Sequence, residues 1–366
     1  MRATLNVVAG LIMSTNIFAF IIVLGVLIFF HELGHFIVAR LFGVGVEKFS
    51  LGFGPRVFGK KIGITDYRVS AIPLGGYVKM VGEEPDTEID PKDIPISFTH
   101  KHVFKRILIV AAGPLFNFLL AAVIFFVMFQ IYGIFVLKPS VGSVLDGKPA
   151  HKAGIMKGDM IVAIDGTRVE QWEEMAHLIA LSDGKQIQVT VRRGSSEFDV
   201  SIIPELKIDK IFGAEIKSYI IGIGSGNDGF VKKLNPFQAF SESINETVKW
   251  TKRTVTGVAR LIKGTESVKT IGGPILIAQM AGHYAKQGVA SLSFFIAIIS
   301  ITLAIINFIP IPVLDGGHLL FFFLEAVIGR PVGLKVREVA QQAGMFILIM
   351  LMIFVFYNDI ARIFFN

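Results

Sequence analysis

"LIFFHELGHFIVA", residues 27–39, sets two histidines and a glutamate inside an otherwise apolar run. A titratable side chain is costly to hold away from water, so three within five residues demand a shared purpose. On a helix, positions i and i+4 share a face about one turn apart, which lets His31 and His35 grip one metal ion together. Imidazole nitrogen suits Zn²⁺, and Glu32 between them projects near enough to take a proton from a water beside that ion. H-E-x-x-H arises by chance in only about 1% of chains this long. Two satisfied core histidines are the plain alternative; a glutamate clustered with them in an apolar helix argues against it.

The surrounding chain explains the setting. Of its 366 residues 52% are hydrophobic, 33 of them phenylalanine, and the mean hydropathy is +0.63. That is too apolar for an ordinary soluble enzyme and predicts a polytopic α-helical membrane protein. Four runs are long enough to cross a bilayer, which takes about 20 helical residues: 11–42, 107–136, 292–328 and 339–356. The first lacks a charged start and a small-residue cleavage site, so it reads as a retained span. With no cysteine, disulfide and thiol chemistry are excluded. The net charge of +7 comes from residues flanking the apolar runs, without an aromatic-interleaved basic tract, so no nucleic-acid partner is expected. Lysines and arginines crowd the connection between spans one and two, from Arg40 to Arg106, and Arg330, Lys335 and Arg337 follow span three. By the positive-inside rule both connections are cytoplasmic, and both termini and the central region lie on the far side.

Four regions follow. Residues 1–137 hold the first two spans and, between them, "KFSLGFGPRVFGKK" and "YRVSAIPLGGYVKMVGE", whose glycine turns and alternating side chains predict membrane-associated β-hairpins. An acidic, proline-rich tail from Glu83 to Pro95 reads as a solvated loop. Residues 138–206 have a soluble composition and alternate strands with one helix near 171–180. Their "AGIMKGDMIVAIDG" resembles the core of a bacterial PDZ domain, a β-rich fold that binds extended peptides along a sheet edge. Residues 207–290 read as a linker and an amphipathic helix. In the latter, Phe237, Phe240, Ile244, Val248 and Val255 recur at helical spacing, suiting a membrane interface, with packing against the PDZ domain as the alternative. Residues 291–366 carry the last two spans.

A catalytic zinc usually takes three protein ligands plus water. Span two offers no acidic residue. Span three holds "NFIPIPVLDGGHLLFF", where Pro310 and Pro312 must break the helix and Gly316 and Gly317 loosen it further. Broken backbone at membrane depth is tolerated where it lines an enclosed or watery cavity. Asp315 in that niche is a candidate third ligand, His318 competes with it, and Glu325 is a weaker candidate. Composition alone leaves the choice open.

"HELGH" in the first span, together with "NFIPIPVLDGGH" in the third, resembles the site-2 protease family of intramembrane zinc metalloproteases. "PLGGYVKM" and a PDZ domain between spans two and three point to its bacterial RseP-like branch. The resemblance implies Zn²⁺ on His31, His35 and Asp315, Glu32 as general base, and Asn307 near the substrate, with capping of the broken helix as the other role for Asn307. It implies that the "VSAIPLGGYVKM" strands pair with an unwound substrate. Expected substrates are single-span membrane proteins, such as anti-sigma factors, or remnant signal peptides. The expected location is the bacterial cytoplasmic (inner) membrane, with the active site toward the cytoplasm. Relatives with two tandem PDZ domains differ from this chain, where one is legible. A PDZ-bearing scaffold and a metal transporter are the rivals. The intact Glu32 opposes the first, and the scarcity of polar residues in span two opposes the second.

Overall fold

A computed structural model of the chain describes residues 2–83, 89–211, 214–265 and 272–365; part of the expected acidic loop, 84–88, lies outside them. Along the chain come α1 (Arg2–Leu41), β1 (Val46–Ile62), β2 (Thr65–Met80), α2 (Val103–Tyr132), β3 (Ile134–Leu137), β4 (Val141–Val144), α3 (Pro149–Lys152) and β5 (Met160–Ile164). They are followed by β6 (Thr167–Arg168), α4 (Trp172–Leu181), β7 (Ile187–Arg193), β8 (Ser196–Ile202), β9 (Glu205–Ile211), β10 (Ala214–Ile220), β11 (Ile223–Ser225) and β12 (Gly229–Lys232). Helices α5 (Pro236–Ile262), α6 (Pro274–Lys286), α7 (Val289–Phe308), α8 (Asp315–Ile328) and α9 (Leu334–Phe365) complete it. Two compact units result: Met1–Val127 with Ser241–Asn366, and Met128–Phe240.

In the first unit, α1, α2, α7 and α9 are long and apolar enough to cross a membrane. At 1.5 Å per residue each can cover the roughly 30 Å of a hydrocarbon layer while satisfying its own backbone. Small residues let these helices meet closely. A Cβ on Gly34 of α1 would strike the Ala112 carbonyl of α2, and one on Gly282 of α6 would strike Asn16 of α1. Ala19, Val23 and Leu27 of α1 then share a core with Leu120 of α2, Ala281 of α6 and Phe295 of α7. Helix α6 has no clear signal in the sequence: its 13 residues are too short and too mixed to stand out as a span.

The third apolar run is indeed broken. α7 ends at Phe308 and α8 begins at Asp315, with Pro310 and Pro312 between them lacking the N–H that a continuing helix needs. The chain folds back tightly here: a Cβ on Gly316 would stand 2.6 Å from the Phe308 carbonyl carbon, and one on Gly317 2.7 Å from that of Ile311. Two glycines are therefore what allow α8 to start so close to the break.

The β1–β2 connection is more than a plain hairpin. Residues 48–51 pair with 76–79 on one side and 66–69 on the other, while 58–62 pair back onto 65–69. Residues 76–79 thus form an outer run of the sheet. Farther out, Val57 and Phe58 are more than 70% exposed, flanked by exposed Arg56 and Lys60.

On α5 the exposures run opposite to a soluble amphipathic helix. Phe237, Phe240, Ile244 and Val248 face outward, while the small or polar Ala239, Ser243 and Thr247 are buried. An outward apolar stripe is the arrangement an interfacial helix would need.

The second unit is β-rich. A four-stranded antiparallel sheet of order β6-β5-β7-β8 packs Ile161, Val189 and Val191 against Met175 and Ile179 of α4. The helix opens with a capping box between Gln171 and Glu174. Residues 207–235, expected as linker, are largely strands: β9 pairs with β10, β11 with β4 and β12 with β3. The folded region therefore extends past residue 206. Two of these strands, β11 and β12, are hard to see in the sequence because they are short and find their partners far back along the chain.

Inside this unit Asp159 is buried, and Arg193 clasps both its oxygens, Nε–Oδ1 at 2.8 Å and Nη2–Oδ2 at 2.7 Å. The Met156 N–H also donates to Oδ2 at 2.8 Å. The Arg193 guanidinium holds the Asp159 carboxyl below the usual carboxylate range. A depressed folded-state pKa gives stability that is complete above the unfolded-state value, about 4, and is lost as pH falls through the folded one. Asp159→Asn should lower stability by about 1–3 kcal/mol at pH 7. Unfolding of the purified chain by heat at pH 7 and at pH 3 checks this: the gap between variant and parent should narrow at the lower pH.

Candidate active site

His31 and His35 lie on one face of α1, one turn apart, as their spacing requires. Asp315 arrives in the first turn of α8, where a carboxylate complements the partial positive charge of a helix N-terminus. Its Oδ2 stands 3.0 Å from His31 Nε2 and 3.6 Å from His35 Nε2, and the two Nε2 atoms are 3.3 Å apart. Three ligand atoms on a tetrahedral zinc, each about 2.0–2.1 Å from the ion, would lie about 3.3 Å from one another. The triangle therefore has the dimensions of one face of a zinc tetrahedron. Asp315 Oδ2 is buried and accepts no well-formed hydrogen bond, which a buried carboxylate oxygen rarely tolerates without a cation to meet it. The donor set, two imidazoles and a carboxylate, is one that zinc takes readily.

The neighbouring elements hold these groups in place. His35 Nδ1 lies 2.9 Å from the Ile109 carbonyl of α2, and as the donor there it leaves Nε2 bare toward the triangle. Gly113 of α2 faces both rings: a Cβ there would stand 2.6 Å from His35 Cε1 and 2.9 Å from His31 Cε1. Pro114 inside α2 has no N–H for the Val110 carbonyl, loosening the turn that follows Ile109. Asn117, one turn beyond Gly113, is wholly buried, with Nδ2 3.2 Å from His31 Nδ1.

A cavity of about 920 Å³ opens on the triangle, lined by Glu32, Gly76, Tyr77, Val78 and His318 besides the three donors. Glu32 therefore faces the same space as the triangle without belonging to it. The outer run of β2 forms the adjoining wall, and Gly76 brings it against Glu32, since a Cβ there would stand 3.0 Å from Glu32 Cγ.

The remaining candidates are dispersed. His318 lines the cavity but lies outside the group of mutually close donor atoms. Glu325 is held in an ion pair instead. Arg106 grips both its oxygens, with Nη1–Oε2 at 3.2 Å, and the guanidinium lies 4.9 Å from the Phe322 ring centre. Asn307, half-buried in the last turn of α7, is not among the residues lining the cavity, and its side chain makes no hydrogen bond among the described residues, so no helix cap is seen there. Two residues carry roles the sequence does not announce: Asn117, and Arg106, which reads there only as one of the basic residues of the first connection. The first had a signal, a lone amide in a span otherwise devoid of hydrogen-bonding side chains over 107–128.

The model of peptidase family M50 matches residues 19–351. A protein of Mesorhizobium japonicum whose name includes "zinc metalloprotease" is 38% identical over 357 residues, covering 93% of this chain and 97% of its own. One of Agrobacterium fabrum with the same words in its name is 36% identical over 363 residues, covering 94% and 95%. The zinc metalloprotease RasP of Geobacillus kaustophilus is 31% identical over 423 residues, covering 95% and 98%. A solved PDZ domain of Listeria monocytogenes aligns with 24% of this chain and 84% of its own at 24% identity, with a TM-score of 0.19, too low to carry any argument on fold.

Proposed function

The chain belongs to peptidase family M50, the site-2 proteases, and from that premise we propose that it cuts peptide bonds within the transmembrane segments of single-span membrane proteins. It is a zinc metalloprotease, as its family and its relatives over nearly full length establish. His31, His35 and Asp315 are the proposed zinc ligands and Glu32 the general base. One observation carries this assignment: the three donor atoms make a zinc-sized triangle on the wall of a cavity that Glu32 also faces.

When bound, zinc supplies Lewis acidity, bringing the pKa of a water toward 7 and polarising a carbonyl. Glu32 would accept a proton from the attacking water and return it to the leaving amine nitrogen as the scissile C–N bond breaks. The break between α7 and α8 lies beside the cavity, where irregular backbone at membrane depth would need an enclosed or watery space.

A membrane-spanning helix hides its peptide bonds in its own hydrogen bonds, so the substrate must unwind before attack. Residues 76–79, an outer run of the sheet beside Glu32, are placed to offer backbone partners to an extended stretch. Asn307 is proposed, on its likeness to the family motif, to help hold substrate near the metal. The region beginning at residue 138 is read as a PDZ domain for extended peptides, and α5 as an interfacial helix on the bilayer surface. Together they would limit access to substrates already trimmed of bulky outer parts, such as anti-sigma factors or remnant signal peptides. The proposed setting is the bacterial inner membrane, with the PDZ domain on the outer side and the zinc site toward the cytoplasm, as the basic connections favour.

The test uses the purified full chain in proteoliposomes with a synthetic single-span substrate. Cleavage within the apolar segment, located by mass spectrometry, should stop with a zinc chelator and return with added Zn²⁺. Cleavage indifferent to the chelator, or confined to the soluble flanks, would contradict the proposal.

A further inference from the structure

Helix α2 contributes no ligand atom to the donor triangle, yet its Gly113–Asn117 turn packs against the imidazoles. Asn117 is fully buried, its own carbonyl is tied by the Ser300 hydroxyl of α7 at 2.7 Å, and its amide lies 3.2 Å from His31 Nδ1. Its Oδ1 is buried without a partner. A primary amide has nearly the same shape after a half-turn about its last bond, so either Nδ2 or Oδ1 fits against His31. With Nδ2 toward His31, Oδ1 is left unmet, so the amide's own bonds do not settle which way it faces. His31 does. If Nδ2 donates to Nδ1, the ring proton sits on Nε2, pointing into the triangle and blocking a cation there. If Oδ1 accepts from Nδ1–H, Nε2 is bare and aimed at Asp315 Oδ2, as His35 Nε2 already is through Ile109.

We infer that Asn117 is a positioning residue for the metal site: its Oδ1 accepts the His31 Nδ1–H bond, fixing the tautomer and ring angle with which Nε2 serves as ligand. The inference rests on the zinc assignment proposed above. Outer partners of this kind typically affect metal affinity by about 10- to 100-fold. It also explains why an amide is kept in the middle of an apolar span, where an unused polar group is expensive.

The experiment compares zinc affinity of the full chain, read by competition with a chromophoric chelator, in the parent, Asn117→Leu, Asn117→Asp and His31→Ala. Asn117→Leu, similar in size but unable to accept a hydrogen bond, should weaken zinc binding about 10- to 100-fold. Asn117→Asp, which retains the acceptor, should stay within about 3-fold of the parent. Should the leucine variant misfold, ¹⁵N NMR of histidine-labelled, zinc-loaded parent still decides: His31 must carry its proton on Nδ1, and Nε2 must show the metal-bound shift. Full affinity in Asn117→Leu, or a His31 protonated on Nε2, would overturn the inference while leaving the zinc site intact. If His31→Ala binds zinc as tightly as the parent, the metal assignment itself fails and this inference falls with it.

Discussion

Glu32→Gln should retain zinc at parent affinity and lose cleavage by about 10²–10⁴-fold in kcat, the usual worth of a positioned acid–base group. The amide keeps the size of the side chain and its place on the cavity wall but accepts no proton at neutral pH. Because Glu32 stands beside the donor triangle and not in it, metal content should be unchanged. Parallel metal analysis and cleavage of a model transmembrane substrate read both quantities. A variant that cuts normally would remove Glu32 from the mechanism. One that loses zinc along with activity would make it a ligand instead.

Asp315→Ala should do the opposite and empty the site. Zinc sites with four protein ligands bind with about 10–16 kcal/mol, so one ligand is worth on the order of 3 kcal/mol, about 100-fold or more in affinity. Loss of the only carboxylate in the triangle also removes the charge that balances the cation. His318→Ala is the matched control. It alters the same cavity three residues away on α8 and should leave zinc affinity unchanged, because its ring lies outside the ligand group. If the two variants exchange behaviour, His318 is the third ligand and the break in α7–α8 has been read in the wrong register.

How much of this is legible without coordinates differs by residue. His31, Glu32 and His35 are readable because helical spacing alone fixes their relation. The break before Asp315 is readable because proline cannot continue a helix, and the glycines that follow reinforce it. The partner of Glu325 is not, since Arg106 lies 219 residues away and no local pattern joins them. Asn117 is half-legible: a lone amide in an apolar span marks the position, but not which ring it faces. In β1 and β2 the composition points to strands, but the doubled pairing of residues 48–51 depends on glycine conformations such as Gly52, whose φ of +92° is open to few other residues. Strands β11 and β12 read as linker because strands of three or four residues with partners far back in the chain look like loops. The buried polar stripe of α5 shows the converse limit, as periodicity finds the apolar side but not which way it turns.

Zinc K-edge X-ray absorption on the purified, zinc-loaded full chain addresses the joining of α1 to α8 through one ion most directly. The spectrum should contain multiple scattering from two imidazoles, with nitrogen at about 2.0–2.1 Å and oxygen at about 2.0–2.2 Å. In Asp315→Ala reconstituted at higher zinc, both imidazoles should persist with an altered oxygen shell. A parent spectrum showing one imidazole or none, or one that Asp315→Ala leaves untouched, would mean that the three side chains do not share a metal.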